Sequence, residues 1–196
     1  MHKSFKPTKK QILDAKAKTV SDLIAPGLKV LFCGINPGLY TAATGRHFAR
    51  PGNRFWPALY HAGFTPRLFS PFEEENLLRY GCGIVNLVQR ATARADEPGA
   101  EELAVGGRAL AQKVLVFKPR FCAVPGLGAY RRAFLQPEAS PGPGREEIAG
   151  ISTARVLPGP SGINANYPMK ELVRLLIELR EATEKSDTPY ILPADR

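Results

Sequence analysis

The stretch LKVLFCGINPG, residues 28–38, decides the fold. Its apolar run does not alternate with polar residues, which is the pattern of a strand covered on both faces. Such strands belong to sheets that are mostly parallel and sandwiched between helices. The run stops at Gly34 and passes through Ile35, Asn36, Pro37 and Gly38. Pro37 fixes its own φ and biases Asn36 toward extended backbone, while the glycines let a ligand approach the main chain. An Asn held this way donates and accepts hydrogen bonds but does not titrate near neutrality. It can orient a water, and it cannot be a strong base. The same residues also fit an Asx-turn that only reverses the chain.

Outward from this stretch the pattern repeats. CGIVNLV (82–88), RFCAVPG (120–126) and STARVLP (152–158) are further short apolar strands. Between them NRFWPALYHAG (53–63), PFEEENLLRYG (71–81), EELAVGGRALAQKVLVFK (101–118) and LGAYRRAFL (127–135) carry helical spacing. Asn53 is a candidate N-cap and Gly81 a C-cap. PMKELVRLLIELREATEK (168–185) closes the series as an amphipathic helix opened by Pro168. QPEASPGPGREEIAG (136–150) is irregular and reads as a surface excursion or wide hairpin. Strands alternating with helices predict an α/β fold, a single three-layer α/β/α domain with a mostly parallel central sheet. Residues 28–185 form that domain, preceded by a basic, helical extension (1–27) and followed by a tail (186–196).

In such sheets ligands sit beyond the carboxyl ends of the strands. That rule gathers the loops 36–48, 86–97 and 159–168 around one crevice. In GRHFARPGNRFW (45–56), Arg46, Arg50 and Arg54 are interleaved with aromatics. A loop of this kind suits a base stacked beside a phosphate backbone. Phe48 is the stacking candidate, Phe55 and Trp56 are expected in the core, and His47 on the surface. GPSGINANYP sets Ile163 alone among small polar residues, as a wedge replacing an extruded base would need, or as a turn before a helix with Ile163 folded inward.

Lys and Arg number 27 against 18 acids, a net charge of +9, so a polyanionic partner is plausible. Cys33, Cys82 and Cys122 lie far apart without a C-x-x-C pair, which supports neither a disulfide framework nor a metal site, and no cofactor is expected. No apolar stretch approaches the length of a membrane span and the N-terminus lacks a signal-peptide pattern, so a cytoplasmic protein is expected.

Taken in order, GINPG after the first strand, VNLVQR after the second and LPGPSG before the last helix resemble the mismatch-specific uracil/thymine DNA glycosylases, a branch of the uracil-DNA glycosylase superfamily. FARPGNRFW and the GGRAL of the long helix agree in order and spacing. The resemblance implies hydrolysis of the N-glycosidic bond of uracil, or a related damaged or mismatched pyrimidine, in double-stranded DNA, by a monomer without metal or cofactor. It implies that Asn36 positions the attacking water and that Phe48 stacks on the flipped base. Main-chain groups around Ile35 and Tyr40 would read the base edge, Asn86 would contact the pyrimidine, and Thr41 would lie near its 5-substituent. Ser161, Gly162, Ile163 and Asn164 match the wedge, with Arg46 and Arg50 toward the DNA backbone. Two positions depart from the pattern: Gly159 stands where bacterial relatives usually have Asn, and no Arg follows Ile163.

A carboxylate would stabilise positive charge on the sugar and accept the proton of the water. Asp96 is the only aspartate between Asp22 and Asp187 and falls in a loop on the crevice side, so it is a second catalytic candidate, or else a turn residue at a helix start. Two other classes compete with the glycosylase reading: a DNA-lesion binding module without catalysis, and a nucleotide-binding enzyme suggested by PGLGAY (125–130), which lacks the G-x-G-x-x-G spacing.

Overall fold

The computed structural model describes residues 5–161 and 167–185, with the main chain alone for 143–147. In chain order the elements are α1 (Lys9–Leu13), β1 (Val30–Gly34), α2 (Leu39–Thr44), α3 (Phe55–His61), a 3-10 helix (Pro71–Tyr80), β2 (Cys82–Asn86), α4 (Ala100–Phe117), β3 (Phe121–Pro125), α5 (Leu127–Ala133), β4 (Gly142–Ile148), β5 (Ser152–Leu157) and α6 (Met169–Glu184).

The strands form one five-stranded sheet in the order β2-β1-β3-β5-β4. β1, β2, β3 and β5 pair in parallel and β4 is antiparallel to β5. The irregular 136–150 stretch thus supplies the edge strand of a hairpin. Every residue of β1 is buried, and its side chains divide between two cores. Val30 and Phe32 join Phe55, Trp56, Leu59, Leu172, Leu175 and Leu176 on the face under α3 and α6. Leu31 and Cys33 join Leu103, Leu110, Val124 and Tyr130 under α4 and α5. The unbroken apolar run is therefore a strand with a helix layer on each side. Phe32 anchors the first core through edge-on contacts with Phe55 at 5.3 Å and Phe64 at 5.8 Å.

The connection leaving β1 passes over one face and that leaving β3 over the other, so β1 and β3 flank a switch point in the topology. The sheet opens into a crevice there. α4 tolerates Gly106 and Gly107 because it lies against main chain: a Cβ on Gly106 would stand 2.4 Å from the Leu87 carbonyl oxygen, and one on Gly107 2.5 Å from that of Ala133.

The N-terminal segment differs from the helical expectation. Only Lys9–Leu13 is α-helical, capped by a reciprocal Thr8–Gln11 pair. After Leu13 the chain docks on the domain: Ala15 and Val20 pack with Ala42 and Ala91, Ala17 turns through a positive φ of 66°, and Leu23 bridges to Ile84. Burying these apolar residues and pairing Leu23 with a sheet strand outweighs the weak helical propensity of the stretch. The 71–80 segment winds as a 3-10 helix rather than an α-helix, and Gly81 ends it at φ 73° as its position suggested. Asn53 acts one residue outside the expected place: Arg54 is the N-cap of α3, and the Asn53 Oδ1 accepts from the Phe55 amide at 2.9 Å. Among the described residues no helix is long and apolar enough to cross a membrane.

Candidate functional site

Beyond Gly34 the pairing of β1 with β2 continues into the loops. The amides of Leu87 and Val88 donate to the carbonyls of Gly34 and Ile35, and the Thr92 amide to that of Pro37 at 3.1 Å. This zipper sets Asn36 opposite Thr92. The Thr92 hydroxyl donates to the Arg94 carbonyl at 2.5 Å and accepts from the Asn36 Nδ2 at 2.5 Å; that Nδ2 also reaches the Pro37 carbonyl at 3.0 Å. With the amide nitrogen facing two acceptors, the orientation of the amide follows, and the Asn36 Oδ1 is left buried without a partner. An Asx-turn would need that oxygen to accept from the Gly38 amide. The turn alternative therefore fails.

A cavity of about 360 Å³ opens here, lined by Gly34, Ile35, Asn36, Thr41, Phe48 and Asn86 among others. Arg50, Arg94 and Ser161 also line it, and no carboxylate does among the described residues. The Asn86 side chain crosses the end of β1 because Gly34 leaves room: a Cβ there would stand 2.6 Å from the Asn86 Oδ1. The Asn86 Nδ2 is likewise buried and unpaired, so two residues of the cavity lining hold one unsatisfied amide acceptor and one unsatisfied amide donor. Each such group costs about 1–3 kcal/mol when it is buried unsatisfied, a cost that a polar ligand removes.

Phe48 enters from the other side. It has a positive φ of 52°, and its ring stacks on Phe55 at 4.0 Å with 21° between planes. His47, expected on the surface, is 1% exposed. Its Nε2 lies 3.0 Å from the Ser21 carbonyl, so that nitrogen carries the proton, and its own carbonyl accepts from the Trp56 indole at 3.2 Å. Burial pushes the imidazole pKa down, so the ring beside the cavity is neutral.

Three expected site residues, Arg46, Tyr40 and Asp96, lie outside the cavity lining. Arg46 is held by Glu74 at 3.2 Å and Glu75 at 3.0 Å, and does not line the cavity. Tyr40 sits in the first turn of α2, outside the lining. Asp96 is turned outward in a two-point pair with Arg94, at 2.9 and 2.5 Å, with its side chain 62% exposed. The guanidinium of Arg94 holds its carboxyl below the usual range. Gly162, Ile163 and Asn164 lie outside the described residues, but the loop leading to them is fastened by Arg54. Its guanidinium donates to the carbonyls of Tyr167 at 2.6 Å, Ser161 at 3.0 Å and Gly159 at 3.3 Å. Thr92, Arg94 and this role of Arg54 escape a sequence reading, since the partners of Thr92 and Arg54 stand 56 and more than 100 residues away. Among the described residues no group of His, Cys, Asp and Glu could hold a metal ion. The cysteines are free and buried, their thiol pKa values pushed up by burial, to about 12 for Cys82 and Cys122.

A solution structure from Methanosarcina acetivorans, provisionally assigned as a uracil DNA glycosylase, superposes with a TM-score of 0.56 over 84% of this chain and 98% of its own. At 16% identity that likeness speaks for the fold alone. The family model of the uracil DNA glycosylase superfamily matches residues 21–180, which include both sides of the cavity, and the chain therefore belongs to that superfamily, whose members act on DNA.

Proposed function

We propose that this protein is a monofunctional DNA glycosylase that swings uracil, or a related mismatched or damaged pyrimidine, out of duplex DNA and hydrolyses its N-glycosidic bond. The observation that carries the reading is a buried, unpaired amide oxygen, the Asn36 Oδ1, on a residue that lines a cavity large enough for one base. An amide oxygen in that position accepts a hydrogen bond from a water and points its oxygen lone pair at the sugar. It does not take the proton far. The barrier must therefore fall mainly through departure of the base, which leaves as an anion while the sugar gains oxocarbenium character. The absence of a carboxylate from the described lining agrees with this division: an anionic leaving group meets no like charge, and Arg50 and Arg94 are nearby.

In this reading Phe48 stacks on the extruded ring and the Asn86 Nδ2 donates to a pyrimidine carbonyl. Ile35 and Tyr40 contribute main-chain groups, Thr41 meets the 5-position, and Ser161 to Asn164 form the wedge toward the duplex. Asp96 is a second contributor. Its pair with Arg94 is exposed and screened by solvent, so exchanging that partner for a place at the cavity mouth costs little.

The test is single-turnover excision from a uracil-containing duplex, read by alkaline cleavage of the abasic product. Asn36→Ala should lower the rate at least about tenfold while duplex binding persists. Asp96→Ala should lower it by a smaller factor, and a wild-type rate removes Asp96 from the mechanism. The lack of a carboxylate among the described lining residues also suits a lesion-binding module, and a wild-type protein that binds the uracil duplex without releasing base would establish that alternative.

A further inference from the structure

Phe48 has an unusual requirement. A non-glycine residue in the left-handed region is strained and persists only where its surroundings hold it. The hold falls on the residue before it. Three polar groups of His47 are bonded: Nε2 with the Ser21 carbonyl, the carbonyl with the Trp56 indole, and the amide with the Glu74 Oε2 at 2.7 Å. Of these partners Glu74 is the only charged one, and hydrogen bonds to a carboxylate are about twice as strong as neutral ones. Glu74 is 5% exposed, and its other oxygen binds Arg46 at 3.2 Å. One carboxylate thus grips two successive residues, Arg46 and His47, immediately before Phe48. It belongs to the rigid start of the 3-10 helix, where the Ser70–Glu73 capping box fixes the first turn.

We propose that Glu74 is a positioning residue that acts through Phe48: it fixes the backbone of residues 46–47 so that the Phe48 ring stands ready to stack on the extruded base. The inference rests on the glycosylase reading above. Glu74 touches no reacting atom, and its effect on excision passes through one ring. Arg46 consequently serves this anchor, where a phosphate contact was expected of it.

A double-mutant cycle separates this role from a general structural one. Stacking on an aromatic is worth about 1–3 kcal/mol per base, so Phe48→Ala should slow single-turnover uracil excision by about tenfold or more. Glu74→Ala should slow it by about five- to tenfold, and Glu74→Ala combined with Phe48→Ala should be no slower than Phe48→Ala alone. Glu74→Gln keeps an acceptor for the His47 amide but gives up the charge and the bond from Arg46, so its rate should fall between those of wild type and Glu74→Ala. Trp56, the single tryptophan, gives a readout apart from activity, since its indole is bonded to the same loop. Its emission should shift to the red in Glu74→Ala and by less in Glu74→Gln. Losses that add in the double variant, a Glu74→Gln as slow as Glu74→Ala, or an unshifted Trp56 emission overturn the proposal. If Glu74→Ala does not fold, the Glu74→Gln rate and emission decide alone. A wild-type protein that releases no uracil overturns the glycosylase reading itself, and this inference with it.

Discussion

The Thr92 hydroxyl helps to decide which end of the Asn36 amide is left unpaired. Without it the Nδ2 keeps only the Pro37 carbonyl, and the amide can turn to offer a donor where a water needs an acceptor. One hydrogen bond of this kind is worth about 0.5–1.5 kcal/mol, so Thr92→Ala should slow single-turnover excision by about three- to tenfold. Thr92→Ser, which keeps the hydroxyl, should recover most of the rate; a Thr92→Ala rate equal to wild type would show that the amide holds itself. Residues of this sort mark the limit of a sequence reading. Asn36 is legible because its constraints are neighbours, Pro37 and the flanking glycines. Thr92, His47 and Glu74 are not, because what makes each one matter is a partner brought close only by folding. His47 shows it best: an exposed-looking histidine in a basic loop becomes a buried, neutral support once the Ser21 carbonyl and Glu74 close over it.

Among the elements, α4 and the end of β2 set the position of Asn86. Gly106 stands where a Cβ would press into the Leu87 carbonyl, and main chain cannot swing aside as a side chain can. Replacing a helix-interior glycine by alanine ordinarily gains about 1 kcal/mol. Overpacking at a rigid contact costs about 1–3 kcal/mol, and at 2.4 Å the upper part of that range applies. Gly106→Ala should therefore lower stability by about 1–2 kcal/mol in chemical denaturation. Gly128→Ala in α5 is the control, because a Cβ there meets nothing within 4 Å, and it should be neutral or stabilising. Because Leu87 follows Asn86 and its amide bonds the Gly34 carbonyl, Gly106→Ala should slow excision as well. The four parallel strands and most helices were legible from apolar runs and 3.6-residue spacing, since those patterns record which face is covered. The N-terminal segment was not, since its burial depends on Ala42, Ala91 and Ile84 in distant parts of the chain.

For the molecule as a whole, the count of 27 Lys and Arg overstates the cations free to meet DNA. Arg46, Arg67, Arg90, Arg94, Lys113, Arg174 and Arg180 are all in ion pairs with acids of this chain. A net charge is legible in a sequence, but its distribution is not, because each ion pair is a product of folding. Arg50 differs from these residues: it is exposed at the cavity rim and makes no ion pair among the described residues. Each phosphate neutralised contributes a slope of about −0.9 to log K against log salt, so about three contacts weaken duplex binding about 40-fold between 50 and 200 mM salt. If Arg50 makes one of them, Arg50→Ala should reduce the magnitude of the slope by about one, and weaken uracil-containing and undamaged duplexes by the same factor. A loss confined to the uracil duplex would instead place Arg50 on the extruded nucleotide, and an unchanged slope would move the backbone contact to other cations of the rim.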